Sequence, residues 1–379
     1  MTSPELLPPA VPIRVLWLIK GLGPGGAEQL LLSSAEVADH SAFDYDVAFV
    51  RPDKDQLVHP LRDRDVDVYR LGDSGRWLTD LRGRLRDYDI VHVHSPLLAG
   101  AVRLLARSIA RGRRPIIVST EHNVWSNFSR PTRLLNALTG RMDDKRWAVS
   151  HEVKRSMWSP LATRTGVLRH GIDLGAAPPP PSSRAEIRRS LGIANDAPVV
   201  ICVANLRKEK DYPNLMRAAA TVLESHPDAV FLAVGQGPLE TELAALHTRM
   251  GLGDRFRFLG YREDVRALLS AADVFALGSL QEGLPVAIME ALHQGLPIVA
   301  TDVGGVGEAV TDGVNGFLVA PSDSGALASA LIAVLEDPEL RHRLGVASRT
   351  RAAEFDIRQT VALEEDVYKR LVRERAAAL

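Results

Sequence analysis

Short apolar, β-branched runs alternate with longer helical patterns along almost the whole chain, and no other feature restricts the fold so strongly. In the first half the runs are IRVLWLI, YDVAFV, VDVYRL, DIVHVH, PIIVST, RWAVS and GVLRH; in the second they are PVVICVA, AVFLAVG, RFRFLG, DVFALG, PIVATD and GFLVA. Most are apolar in succession rather than at alternate positions, so both faces of each strand need cover. Strands of this kind separated by helices form parallel sheets clothed on both sides. The predicted class is α/β, with two doubly wound, Rossmann-like domains. A length of 379 residues suits two domains. Between the two sets of runs lies GIDLGAAPPPPSSRAE, whose four consecutive prolines cannot join a sheet. The expected boundaries are 1–174, a proline-rich linker at 175–185, and a second domain at 186–355. Two such domains leave a cleft, and in such sheets ligands bind beyond the carboxyl ends of the strands. Chemistry is therefore expected in the loops that follow strands.

The net charge of -1 conceals an asymmetry. Residues 1–175 hold 25 Lys/Arg and 20 Asp/Glu, a balance of +5, which leaves 21 against 27, or −6, for the remainder. A basic first half faces an anionic partner more readily than an acidic one. Cys202 is the single cysteine, so no intramolecular disulfide forms and a buried thiol is expected. The opening MTSPELLPPAVP does not read as a signal peptide, and no run approaches the roughly 20 apolar residues of a spanning helix. The expected location is the cytoplasm, with peripheral contact at the inner face of the membrane. The arginines at 103, 107, 111 and 114 recur at spacings of four, four and three, a single helical stripe. Such a stripe is either a solvated face or a surface for anionic lipid.

Several loops after strands carry reactive or anion-binding groups. In GLGPGGAEQL, Gly21, Gly23 and Gly26 satisfy G-x-G-x-x-G, which admits a dinucleotide turn, another phosphate cradle or a bare tight turn. His94 ends the run DIVHVH, and Ser95-Pro96 has the form of a helix start. Glu121, His122 and Asn123 end another strand. In NLRKEKDY, Arg207, Lys208 and Lys210 form either a surface loop or a cationic clamp for a pyrophosphate. Gly235 and Gly237 follow AVFLAV. The sharpest constellation is GSLQEGLPVAIMEALHQGLP, with Glu282 before a helix start at Gly283–Pro285 and Glu290 inside it. Eight helical residues separate backbones by about 12 Å. The carboxyl pair of a retaining glycosidase stands only about 5 Å apart, so two glutamates serving different parts of one elongated ligand fit better. GDSG at 72–75 and DRDVD at 63–67 imitate protease and metal motifs, but an α/β chain without H-E-x-x-H or G-K-[ST] supports neither.

The segment EGLPVAIMEALHQGLPIVATDVGGVGEAVTDGVNGFLVAPSD resembles the signature region of the retaining family 4 glycosyltransferases, which have the GT-B fold. GPGGAE, HVHSP, TEHN, AVSHEVKRSM, RHGID, ANLRKEKD, VGQGPL and the closing FDIRQTVALEEDVYKRL extend the likeness over nearly the whole chain. The resemblance implies that Glu282 holds donor-sugar hydroxyls beside the Gly283 and Leu284 amides, and that Glu290 binds the nucleotide ribose. It assigns Lys210 to the diphosphate, with Gly25 and Gly26 against it from the first domain and Gly235 and Gly237 on the donor side. His122 corresponds to the histidine near the donor sugar, with His94 and Asn123 towards the acceptor, and Gly304 and Gly305 form a turn beside the site. Residues 356–379 would return to the first domain. Two positions depart from the pattern. Asn205 stands where many relatives have arginine, which makes Arg207 the candidate second cation, and His170 replaces an asparagine in RHGID.

The implied reaction moves a sugar from a nucleotide diphosphate sugar, a UDP-sugar ahead of GDP-mannose, to a carbohydrate or lipid-linked hydroxyl. It proceeds with retention and with no cofactor or metal. Nucleic acid is not an expected partner. Two alternatives stay open: a catalytically inactive sugar-nucleotide-binding protein, and a NAD-dependent oxidoreductase, which would leave the Glu282–Glu290 segment without a purpose.

Overall fold

A computed structural model of the chain describes residues 11–72, 75–175 and 181–378. It divides into two compact units, Met1–Arg169 with Ile357–Leu379, and His170–Asp356. Each of the thirteen apolar runs contains a strand.

In the first unit these are β1 (Ile13–Ile19), β2 (Phe43–Phe49), β3 (Asp67–Arg70), β4 (Ile90–Val93), β5 (Ile116–Glu121), β6 (Lys145–Ala148) and β7 (Gly166–Val167). Their order is β3-β2-β1-β4-β5-β6-β7, and every pairing is parallel. The unbroken apolar character of β1 has a direct structural cause. Val15, Trp17 and Ile19 enter one core with Tyr45 and Val47, while Leu16 and Leu18 enter the other with Val91, Val93 and Leu98. The helix Ile357–Ala377 completes the first of these cores. Its Tyr368 is fully buried there, and its Glu365 accepts from the Asp39 amide at 2.8 Å and the Tyr45 hydroxyl at 3.0 Å.

The second unit holds β8 (Val199–Val203), β9 (Val230–Val234), β10 (Phe256–Gly260), β11 (Val274–Leu277), β12 (Ile298–Thr301) and β13 (Gly316–Val319), ordered β10-β9-β8-β11-β12-β13 and again parallel. In each sheet the order reverses beside the first strand, where the chain leaves β1 or β8 on one side and later returns on the other. Loops diverge at such a switch point, so a crevice opens at the carboxyl end. Cys202 on β8 is buried, and that burial pushes its thiol up to about 12.

Two expectations change. The helix Pro96–Ala106 ends before Arg107, Arg111 begins a separate 3-10 turn, and Arg114 precedes β5, so the four arginines form no stripe. Arg103 is buried: its guanidinium donates to both Asp143 oxygens at 2.6 and 2.7 Å and to Asn136 Oδ1 at 2.7 Å. A planar fork satisfied on several edges tolerates burial where a flexible ammonium would not. Of the expected linker, residues 176–180 lie outside the described residues, as do Asp73 and Ser74 of GDSG, and a helix, Pro181–Ser190, begins within the last proline run. Among the described residues, no helix is long and apolar enough to cross a membrane.

Candidate functional site

Three loops of the second unit meet at the carboxyl ends of β8, β11 and β12. After β8 the chain makes a 3-10 turn, Lys208–Lys210, and Asp211 takes φ 40° to cap the helix Tyr212–Ser225. After β11 it runs through Ser279–Pro285 before the helix Val286–Gln294. The loops are tied together by backbone. The Leu280 amide donates to Glu209 O at 2.8 Å, and the Gly305 amide donates to Gly283 O at 2.8 Å. Gly304 has φ +56° and lies so close to the second loop that a Cβ would stand 1.9 Å from Glu282 O. Only glycine fits there.

On this frame Lys210 Nζ reaches Glu282 Oε1 at 2.5 Å, and the Ser279 hydroxyl donates to the same oxygen at 2.6 Å. Glu282 is buried, so the two donors compensate the loss of water around its charge. Ser279 is itself held by Thr301, whose hydroxyl donates to the Ser279 carbonyl at 2.6 Å. Sequence reading missed Ser279, although its place three residues before Glu282 offered a signal. Glu290 stands apart from this cluster. It is half-buried on the following helix, and no described residue hydrogen-bonds its carboxylate. Burial pushes it up to about 7, offset in part by the Arg266 guanidinium.

His170 resolves one departure in the sequence. Its Nε2 donates to Leu284 O at 2.8 Å and so holds the loop bearing Glu282 and Gly283. Burial pushes this imidazole down to about 4, although the bond to the Leu284 carbonyl favours the charged form, so the ring donates while neutral. Arg207 is exposed, with no side-chain partner among the described residues. It is not brought to the Lys210–Glu282 cluster by any bond. Gly235 and Gly237 press on backbone: a Cβ would stand 2.2 Å from Ala204 O at the first and 2.4 Å from Leu206 O at the second. Their missing side chains shape the loop that carries Arg207 and Lys210.

The first unit gathers its polar groups at the carboxyl ends of β1, β4 and β5. Gly25 caps the helix Gly26–Val37, and the Glu28 carboxylate folds back over it. His94 Nδ1 lies 3.1 Å from His122 Nε2, and the His92 and His94 rings lie tilted at 36° with centroids 4.2 Å apart. His92 is fully buried between the Tyr368 hydroxyl at 2.5 Å and the Thr120 hydroxyl at 2.7 Å. Burial lowers His92 to about 3 and His94 well below the usual imidazole range, so both are neutral. His92 and Tyr368 escaped sequence reading because they are 276 residues apart. Asn123 is exposed beyond the pair. Glu121 points away from it, buried, with neither oxygen bonded among the described residues, and desolvation raises its pKa despite Arg146 and Arg103.

Residues 24–176 match the Glycosyltransferase Family 4 model, and residues 183–351 match Glycosyl transferases group 1. The UDP-Gal:alpha-D-GlcNAc-diphosphoundecaprenol alpha-1,3-galactosyltransferase of Escherichia coli is 30% identical over 265 residues, covering 67% of this chain and 68% of the relative. The GDP-mannose-dependent alpha-(1-6)-phosphatidylinositol monomannoside mannosyltransferase of Mycolicibacterium smegmatis is 31% identical, covering 66% and 69%. Among solved structures, Anabaena HepE in complex with UDP and glucose superposes with a TM-score of 0.84 at 24% identity, over 94% of this chain and 99% of that one. The fold is GT-B. The chain belongs to glycosyltransferase family 4, and its chemistry is transfer of a sugar from a nucleotide-sugar donor.

Proposed function

We propose that the protein is a retaining hexosyltransferase that uses a UDP-sugar in preference to GDP-mannose, acts without a metal ion, and glycosylates a hydroxyl of a lipid-linked or polysaccharide precursor. The observation that carries this reading is the contrast between the two glutamates. Glu282 is buried against Lys210 and Ser279, whereas Glu290 presents a carboxylate with no hydrogen bond from the described residues. A carboxylate of that kind suits the two hydroxyls of a ribose. Lys210 carries three donors and needs one for Glu282, so the others are available to a diphosphate. The departing diphosphate gathers charge, and fixed cations and helix-start amides stabilise it without rearranging. Lys210 and the exposed Arg207 take this role, and Glu282 and the Gly283 and Leu284 amides hold the sugar. Within the first unit, the amides of Gly25 and Gly26 offer a phosphate-binding turn, and His122, oriented by His94, offers polar positioning.

The donor and acceptor classes are supported by relatives. One is named for UDP-Gal and a diphosphoundecaprenol-borne acceptor, the other for GDP-mannose and a phosphatidylinositol mannoside, and both are named for alpha linkages. Usual nucleotide hexoses are alpha-linked, so alpha products correspond to retention. Contact with an anionic membrane is supported by the helix Arg130–Thr139, where Leu134 and Leu138 are exposed in line with Arg130.

The test is turnover of UDP- and GDP-sugars with a polyprenyl-linked acceptor, with and without chelator, and determination of the product anomer by NMR. Lys210→Ala is expected to lower turnover about a hundredfold, as loss of an oxyanion donor does. An inverted product, chelator-sensitive turnover or an undiminished Lys210→Ala enzyme would each remove the corresponding part of the proposal.

A further inference from the structure

A cavity of about 470 Å³ opens in the second unit at the end of the sheet opposite the candidate site. Asp273 and Pro297, which immediately precede β11 and β12, line it, so it lies at the amino ends of the strands whose carboxyl ends carry Glu282 and Gly304. Its walls bring together Arg184, Arg341, Arg349 and His342. The one carboxylate among its lining residues, Asp273, already accepts from Arg184 at 2.6 Å and Arg188 at 2.8 Å. Like charges around one cavity repel, and an anion placed among them relieves that repulsion.

The guanidiniums are preorganised. Arg341 Nη1 donates to the carbonyls of Val334 at 3.3 Å and Leu335 at 3.0 Å, and Arg349 Nη2 donates to Gln294 O at 3.4 Å. Arg184 Nη1 donates to Ser270 O at 3.1 Å and Ala272 O at 2.6 Å. Arg341 and Arg349 are each held by one terminal nitrogen, and Arg184 by both, the second through Asp273. Among the described residues, the remaining edges of Arg341 and Arg349 have no partner. Donors held in place before a ligand arrives lose little entropy on binding it. Beside them Leu296 and Pro297 offer an apolar wall, and Val346 is 53% exposed at the rim. The volume falls in the range of small-molecule sites.

We propose that this cavity binds a small organic phosphate, its phosphate on the free edges of Arg341 and Arg349 and its organic body on Leu296, Pro297 and Val346. Gly295, in the cavity wall, directly follows the helix that carries Glu290, so the occupant touches the far end of a helix belonging to the candidate donor site. The inference goes beyond the transfer reaction and does not depend on the donor's identity.

The test is calorimetric titration of the full chain with AMP, with inorganic phosphate and adenosine as separate arms. AMP is expected to bind, phosphate to bind more weakly, and adenosine not to bind. Arg341→Gln with Arg349→Gln is expected to weaken AMP about tenfold or more, a loss of about 1.4 kcal/mol. Since Arg341 also donates to the last carbonyls of a helix, Val346→Glu gives a second variant at an exposed position, and it should weaken AMP by adding negative charge beside the phosphate and by removing apolar contact with the organic body. Absence of AMP binding overturns the proposal, as does adenosine binding as tightly as AMP. Undiminished AMP affinity in both variants assigns the binding to another site and overturns it equally.

Discussion

Glu290 and His170 show how one residue's surroundings decide its chemistry. Glu290 is raised to about 7 because its half-buried carboxyl is desolvated and no described residue hydrogen-bonds it. Ribose hydroxyls bond best to its ionised form, so nucleotide binding lowers that pKa, and affinity is expected to rise as pH climbs from 6 to 8. Calorimetry with a nucleoside diphosphate on the native protein and on Glu290→Gln checks this, because titration of the ligand's own phosphate affects both alike. Glu290→Ala should cost roughly 1.5–3 kcal/mol of affinity, the usual worth of hydrogen bonds to a charged group. His170→Ala leaves the Leu284 carbonyl without its donor, which should lower stability by about 1–2 kcal/mol and raise KM for the donor more than it lowers kcat. Urea denaturation and steady-state kinetics read the two effects. An asparagine there restores a donor and should recover part of both.

At the scale of an element, the helix Arg130–Thr139 presents a face that the fold leaves open. Leu134 and Leu138 are 61% and 73% exposed, while Asn136 and Thr139 on the opposite side bond to buried Arg103. Two leucines entering a bilayer interface contribute about 1.5–3 kcal/mol each at full burial, and basic residues beside anionic lipid about 1 kcal/mol each. Leu134→Ser with Leu138→Ser is therefore expected to abolish co-sedimentation with anionic vesicles while leaving folding intact. Equal pelleting of variant and native protein would show that this face has no lipid role. The four-arginine stripe fails for a related reason. Arg103 lies on a good helical period, yet its guanidinium completes a buried network with Asp143, and its charge never reaches solvent.

Across the whole molecule, buried carboxyls set the response to alkaline pH. Glu290 is raised to about 7 and Glu364 to about 8 against an ordinary value of 4.5, and Glu121 is raised as well. Between pH 6.5 and 8.5 Glu290 and Glu364 give up, in the folded state, protons that the unfolded chain has already released. Stability from a raised carboxyl is present below its unfolded pKa and lost as pH rises through the folded one. The lowered imidazoles His92, His94 and His170 oppose this only up to about pH 7.5, where the unfolded chain still protonates its histidines, and they contribute nothing above it. The thermal midpoint is expected to fall from pH 6.5 to 8.5, and Glu364→Gln should flatten the fall. A midpoint that rises over that interval would contradict the assignment.

The amino-acid sequence determined the strands, their parallel pairing and the loops that bear the reactive groups. These depend on local apolar runs, turn residues and the rule that active loops follow strands. It also singled out Glu282, Glu290 and Lys210, the glutamates because they flank the helix start in EGLPVAIME and the lysine because it stands in a cationic cluster straight after a strand, with their roles implied by the family resemblance. Tertiary structure alone decided which of them meet. Lys210 and Glu282 are 72 residues apart and share an ion pair, His170 reaches the carbonyl of Leu284 across 114 residues, and Tyr368 closes on His92 across 276. Burial is likewise a property of packing. The same arginine reads as a surface cation by its spacing and becomes a core residue once Asp143, Asn136 and Ser119 surround it, because desolvation and hydrogen-bond geometry depend on neighbours that local sequence does not name.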